Sequence, residues 1–391
     1  MRSKWQTKTL GEVCDILDSR RRPITKSDRV SGEYPYYGAT GILDYVEDYI
    51  FDEKLVLIGE DGAKWNAGEN TAFIVEEKYW VNNHAHVVRP HRDTIIDEWL
   101  VYYLNACDLS EYITGVTVPK LNQAKMRSIK IPIPPLPEQK HIVSILDEAF
   151  AAIEEAKENA EKNLQNAKDL FESYSENIFK KEGDSWMQVG LGDKEFLQII
   201  DGDRGANYPK KSDFSEEGYC LFLNTKNVLT DGFDFSSVMF ISEEKDLAMG
   251  KGKLQRNDIV LTTRGTIGNI GLYSEDVSYD SVRINSGMLI FRPKIEKILP
   301  EYVFEIFRSG LFKRQIKEHV SGAAQPQLPI KSLVKFNIPV PISKDDQAKM
   351  VLELQHGYFQ SKELQSLYTQ KLSALDELKQ SLLRKAFNAE L

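Results

Sequence analysis

From Pro137 to Lys181 neither glycine nor proline interrupts the chain, and apolar residues recur at alternating intervals of four and three. Ile142, Leu146, Ala149, Ile153, Ala156 and Ala160 form one stripe; after a one-residue shift it resumes at Leu164, Ala167, Phe171, Tyr174 and Ile178. That alternation is the seam of a coiled coil with a phase slip at its middle. A second seam runs through Val351, Leu354, Tyr358, Ser361, Leu364, Tyr368, Leu372, Leu375, Leu378 and Leu382, with Gly357 as its one weak position. The first stripe is rich in alanine and the second in leucine and tyrosine, which suits them to interdigitate as antiparallel partners within one chain. Packing of each helix on its own globular segment, or dimerisation through the helices, is the alternative. Some 40 helical residues make a rod of roughly 60 Å.

The residues before each helix also recur. Leu121, Pro132 and Pro134 match Leu328, Pro339 and Pro341 at an offset of 207; the offset becomes 208 from Gln139/Gln347 through Leu146/Leu354 to Phe179/Phe387. A weaker echo, Trp5, Leu10 and Gly11 against Trp186, Leu191 and Gly192, has an offset of 181. Two tandem halves are therefore expected, with segments 1–135, 136–183, 184–342 and 343–391 as globular segment, helix, globular segment, helix. "IKIPIPP" and "FNIPVPI" alternate apolar residues with proline, which cannot donate to a ladder, so each is read as an extended edge segment.

The globular segments carry short strand-like runs ("KLVLIGE", "TAFIVEE", "HAHVVRP"; "CLFLNT", "DIVLTTRGTIGNIGLY", "INSGMLIFRP") between turn signals, and each closes with a helical stretch. The fold class is α+β: two tandem pseudo-repeats, each a mixed α/β domain followed by a long helix, with the helices paired as an antiparallel coiled coil. The two globular segments share little sequence, as expected if their loops recognise different things.

Composition narrows the function. Apolar residues at 41% and charged residues at 28% describe an ordinary globular chain. No run approaches the length of a membrane span, and "MRSKWQTKTLGEV" lacks a secretion signal's apolar core, so a cytosolic location is expected. Cys14, Cys107 and Cys220 are too scattered for a disulfide frame or a metal site. The net charge of −9 disfavours a nonspecific DNA coat. More than half of it sits in residues 136–183, however, and the globular segments are nearly balanced.

Several loops hold side chains suited to phosphates or base edges. In the first segment these are the triplet Arg20, Arg21 and Arg22, the aromatic turn around Tyr37, the cluster Asn82, Asn83 and His84, and Lys120 with Asn122. His84 and His86 stand two apart, on one strand face, without a carboxylate or cysteine at ligand spacing, so packing is favoured over a metal. In the second segment they are Arg204, Lys226, Arg264, Thr266, Asn269, Arg283, Asn285, Gln325 and Gln327. Lys120 and Asn122, like Gln325 and Gln327, stand just before the proline strands and so at equivalent places in the two halves. No phosphate-binding loop, amino-methylation motif, nucleophile elbow or zinc motif is present, and no titratable set recurs in both halves, so the chain is expected to catalyse nothing by itself. The residues leave two functions open: a DNA reader, or a coiled-coil scaffold whose two domains bind proteins or glycans.

The order of variable domain, "IKIPIPPLPEQ" strand and helix, second variable domain, second strand and helix resembles the specificity subunit of a Type I restriction–modification system along essentially the whole chain. "YPYYGATG", "LIGEDGA", "NNHAHVV", "LTTRGTIGNIG" and "SGAAQPQL" resemble pieces of its target-recognition domains, although "PVPISKDDQ" departs from the Pro134–Gln139 marker. The resemblance implies that each domain reads half of a bipartite, asymmetric double-stranded DNA site. It implies that the helices set the spacer and dock two methyltransferase subunits, and that restriction subunits join the full complex. S-adenosylmethionine, ATP and Mg would reside on those partners and none in this chain. The complex would then be an adenine-N6 methyltransferase and ATP-dependent endonuclease.

Overall fold

The computed structural model describes residues 5–115, 117–180, 185–320 and 326–391. The chain divides into two compact units, Met1–Glu161 with Thr369–Leu391, and Lys162–Tyr368. Each long helix, Leu136–Phe179 and Lys344–Phe387, is therefore shared between both units.

The first unit contains β1 (Gln6–Thr9), β2 (Cys14–Ile16), β3 (Ser31–Gly38), β4 (Gly41–Val46), β5 (Phe51–Asp52), β6 (Leu55–Gly59), β7 (Ala72–Val75), β8 (Lys78–Val81), β9 (Ala85–Pro90) and β10 (Lys130–Ile133). One sheet has the order β2-β9-β6-β7, all antiparallel. A second has the order β4-β3-β8-β5, with β3 and β8 parallel. Leu55, Val56, Leu57 and Ile58 are all buried, so both faces of β6 are covered, which explains its unbroken apolar run.

The second unit contains β11 (Trp186–Gly190), β12 (Leu197–Asp201), β13 (Cys220–Leu223), β14 (Phe240–Ile241), β15 (Ile259–Thr262), β16 (Ile270–Leu272), β17 (Val282–Ile284), β18 (Met288–Pro293) and β19 (Asn337–Pro341). Its sheets, β12-β18-β15-β16 and β14-β13-β17 with β13 and β17 parallel, follow the strand order of the first unit, the second sheet having no counterpart of β5 among the described residues.

Both proline segments are strands in two-stranded sheets. β10 pairs with β1 and β19 with β11, so the faint echo at the start of each half and the strong one before each helix are the two sides of one closure. The bond that ends each pairing is also repeated: Leu10 N donates to Ile129 O at 2.8 Å, and Leu191 N to Phe336 O at 2.9 Å.

A buried glutamine then fixes each long helix to its domain. Gln139 Oε1 accepts from Ile96 N at 3.0 Å while its Nε2 donates to Thr94 O and Pro134 O. Gln347 makes the same three bonds, to Leu299 N, Lys297 O and Pro341 O. Trp99 Nε1 donates to Pro132 O, and Tyr302 OH does the same to Pro339 O. The Gln match in the sequence is thus a polar clamp at a helix start, where backbone groups otherwise lack partners.

Within each unit the two helical portions run antiparallel. In the first unit Glu154 meets Lys379 and Lys157 meets Asp376. In the second unit Phe171 packs on Tyr358, Ala167 O accepts from Ser361 Oγ at 2.6 Å, and Tyr174 OH reaches Glu353. Ile142, Leu146, Ile153, Phe171, Val351 and Leu354 are buried; Leu164, Tyr174, Tyr358, Tyr368, Leu372, Leu375 and Leu382 are half-buried. Leu364 and Leu378 depart from the seam expected for them, being 36% and 46% exposed. From Val351 onward the alternation of three and four leads to the half-buried Gln365 and Lys379 instead, so helical geometry overrides local apolarity. Gly357 is where the Tyr174 ring crosses the backbone: a Cβ there would stand 2.6 Å from Tyr174 Cε1. Among the described residues no helix is long and apolar enough to cross a membrane.

Candidate nucleic-acid interface

The C-terminal ends of β2 and β6 and the start of β9 lie at one end of the first unit's antiparallel sheet. β12, β15 and β18 form the same end in the second unit. Ladder register makes Val56 equivalent to Ile259 and Val88 to Phe291. Carried along the chain, it equates Gly62 with Gly265, Asn82 with Asn285, and Arg89-Pro90 with Arg292-Pro293. Gly62 and Gly265 adopt φ of 71° and 72°, a left-handed turn suited to glycine.

The loops at this end share a set of bonds. Asn82 Oδ1 accepts from His84 N at 2.7 Å, and Asn285 Oδ1 from Gly287 N at 2.8 Å. Glu60 N donates to His84 O and Thr263 N to Gly287 O, each at 2.8 Å. Leu121 N donates to Glu60 O, as Leu328 N does to Thr263 O. Asp18 pairs with Arg21, and Asp201 with Arg204 three residues on in the same way. Arg21 Nη1 reaches Asn83 O at 3.5 Å, and Arg204 Nη2 reaches the equivalent Ser286 O at 3.2 Å. Isolated bridges join Asp61 to Lys120 and Arg264 to Gln327. A common frame thus carries different side chains.

The first unit's frame is filled with charge. Arg21 bonds Glu60 and Ala85 O, and Lys120 Nζ lies 2.8 Å from Glu60 Oε1 and 3.7 Å from Asp61 Oδ2. His86 is fully buried, with Nδ1 2.6 Å from Asp18 Oδ2 and Nε2 2.7 Å from Leu121 O. Burial pushes the Glu60 carboxyl up, but its bonds to Lys120 and Arg21 outweigh this and hold it below the usual range. Burial likewise raises Asp18, and His86, Gln123 and Val87 N together bring it down. Lys120 is raised, chiefly by its bond to Glu60. Asp18, Glu60 and His86 are close enough together to ligate a metal. The Arg21 guanidinium and Lys120 ammonium already stand among these carboxylates, in the place a cation would take.

The sequence candidates separate accordingly. Arg283 is buried, bonded to Asp246 and to the carbonyls of Lys251, Asp246 and Met249, so it is a core residue with no surface to offer. Asn82 is buried in its turn, Asn269 Nδ2 donates to Val228 O, and Asn122 caps the short helix Gln123–Arg127. Tyr37 packs on Phe73 and Tyr79, on strand β3 rather than in a turn. His84 and His86 do not share a strand face: His84 precedes β9, exposed and paired with Asp61, while His86 is interior. In the triplet, Arg20 pairs with Glu53 and Arg21 is largely buried, whereas Arg22 is exposed with no partner for its guanidinium among the described residues.

Asn83, Lys226, Arg264, Thr266 and Gln327 are exposed, and Asn285 is half-buried. Gln325 lies outside the described residues. Sequence reasoning missed Asp61, Lys331 and the network beneath Lys120. The signal that finds them, Asn82…Arg89-Pro90 against Asn285…Arg292-Pro293, keeps its own offset of 203, hidden by insertions on either side.

The model of the Type I restriction modification DNA specificity domain matches this chain twice, at residues 2–162 and 184–356. The chain belongs to that family, the Type I restriction–modification specificity subunits. It is 40% identical over 153 residues to a putative type I restriction enzyme specificity subunit of Haemophilus influenzae, a match spanning 39% of each chain. It is 26% identical to the MjaVIII specificity subunit of Methanocaldococcus jannaschii over 88% of this chain and 84% of that one. Its fold is similar to a chain from a structure of the type I R-M system (TM-score 0.77, 17% identity, 100% and 99% covered). It is also similar to the HsdS subunit of Thermoanaerobacter tengcongensis (TM-score 0.58, 17% identity, 100% and 98% covered).

Proposed function

We propose that this chain is the non-catalytic DNA-reading subunit of a Type I restriction–modification complex, each unit reading one half of a bipartite, asymmetric site. The observation that carries this is the duplicated frame, whose loops keep their backbone bonds and change their side chains. A chain that reads two unlike half-sites with one architecture needs this arrangement. The shared helices set the gap between half-sites and offer two equivalent surfaces to two methyltransferase subunits, which explains a duplication inside one chain. Adenine methylation, ATP-driven cleavage, and the S-adenosylmethionine, ATP and Mg they use belong to the partner subunits. Much of the positive charge on DNA comes from those partners too, so specific binding is expected only in their presence.

Mapping methylated adenines across the host genome with and without this gene tests the reading. Loss of one gapped motif on deletion supports it. An unchanged methylome, with the partner genes intact, favours the scaffold whose domains bind proteins or glycans.

A further inference from the structure

We propose that Arg264 and Gln327 are the base-reading pair of the second unit, and that Arg264 selects a guanine; this deepens the reading above and rests on it. The two residues face each other across an isolated antiparallel bridge, a pairing that leaves side chains about 5 Å apart at their Cβ atoms. Both are exposed, and neither side chain has a partner among the described residues. For Arg264 that is exceptional, because every other described arginine of this unit makes an ion pair with a carboxylate. An arginine that could be neutralised locally, and is not, is available to an outside acceptor.

The loop beneath it is held rigidly. Arg264 N and Thr263 N both donate to Gly287 O, Leu328 N donates to Thr263 O, and Gly265 turns the chain away immediately afterwards. A reader on a fixed backbone loses little freedom on binding, as specific recognition requires. Arg204 and Lys331 line the same groove of about 230 Å³ and give it a positive surround suited to a DNA backbone, tempered by Asp201, which Arg204 already neutralises.

The first unit sharpens the assignment. Its equivalent positions hold Asp61 and Lys120, where Lys120 is tied to Glu60 and Asp61. The frame is the same, but its side chains are half-buried and paired in the first unit and exposed in the second, a difference suited to a position that sets specificity. Arginine suits the two acceptors on the major-groove edge of guanine, and glutamine suits adenine.

The test maps adenine methylation in the host carrying the full chain with its partner subunits, for the parent, Arg264→Ala and Gln327→Ala. Thermal melting of each purified complex is run in parallel, and unchanged midpoints are expected because neither side chain supports the fold. Arg264→Ala should relax one G·C position of one half-site, with discrimination there falling roughly 5- to 150-fold, and leave the other half-site and the gap unchanged. Gln327→Ala should relax the neighbouring position. A motif that stays strict in both variants overturns the pair while leaving the DNA reading intact. So does a uniform loss of methylation at unchanged melting, which marks a phosphate contact. A lowered melting midpoint overturns the premise that these side chains are free. If the parent specifies no motif, the proposed function falls first and takes this inference with it.

Discussion

At the scale of single residues, burial separates arginines that a sequence presents as alike. Arg283 lies inside the second unit between Asp246 and three carbonyls, whereas Arg264 stands exposed and without a side-chain partner among the described residues. Arg283→Ala leaves Asp246 with Lys253 as its remaining cation and three carbonyls short of a donor, and removing one side of a buried pair costs up to about 3–5 kcal/mol. Arg264→Ala should change stability by less than about 0.5 kcal/mol. Urea unfolding of the two variants checks the contrast, and equal midpoints would refute the burial argument. Charge at the first unit's loops has a pH signature. Glu60 and Asp18 are held below their ordinary values of 4.5 and 3.8, so the unfolded chain takes up protons first as the pH falls. Their stabilisation is complete well above pH 4.5 and is lost on acidification below it. Glu60→Gln should flatten the fall in the unfolding midpoint between neutral pH and about pH 3.5; a slope as steep as the parent's would contradict the assignment. The triplet Arg20–Arg22, read as one basic patch, resolves into a partner of Glu53, a largely buried network member and a guanidinium with no partner among the described residues. The three span the end of a single 3-10 turn, Asp18–Arg20, and the chain leaving it, so successive side chains point in different directions and no pattern in the sequence carries that difference.

At the scale of elements, the repeated glutamine does more than the repeated prolines. Gln139 and Gln347 each satisfy one backbone N–H and two carbonyls, joining the long helix, the proline strand and the loop before the domain's own helix. Gln347→Leu leaves those buried groups without partners and should destabilise the second unit by on the order of 3 kcal/mol. Amide hydrogen exchange at Leu299 N, faster in the variant, identifies the lost clamp; unchanged protection there would remove this explanation of the match. The helices themselves were legible because period and length are properties of the chain. Their seam was misread at Leu364 and Leu378, where apolar residues sit one position off the true line and Gln365 and Lys379 occupy it. Strands were harder. β3 was expected as an aromatic turn, because its parallel pairing with β8 is a contact the local sequence does not announce.

At the scale of the whole molecule, the gap between half-sites should follow the helices and the bases should not. Inserting one heptad into both helices is expected to change the spacing of the methylated motif and leave both half-sites unaltered. Altered bases at constant spacing would show that the helices are not the ruler. The sequence alone determined the duplication, the α+β class and the two long helices, since each rests on periodicity, on spacing, or on residues kept at constant offset; the family came from the resemblance of its motifs. Only the tertiary structure decided which polar side chains are free. Whether an arginine meets a carboxylate depends on residues such as Arg21 and Glu60, or Asp246 and Arg283, far apart in the chain and brought together by the fold. The equivalence of the two reading frames was hidden for the same reason: loops of unequal length shift the offset from 181 to 203 to 207, while hydrogen bonds hold the loops at the same end of each sheet.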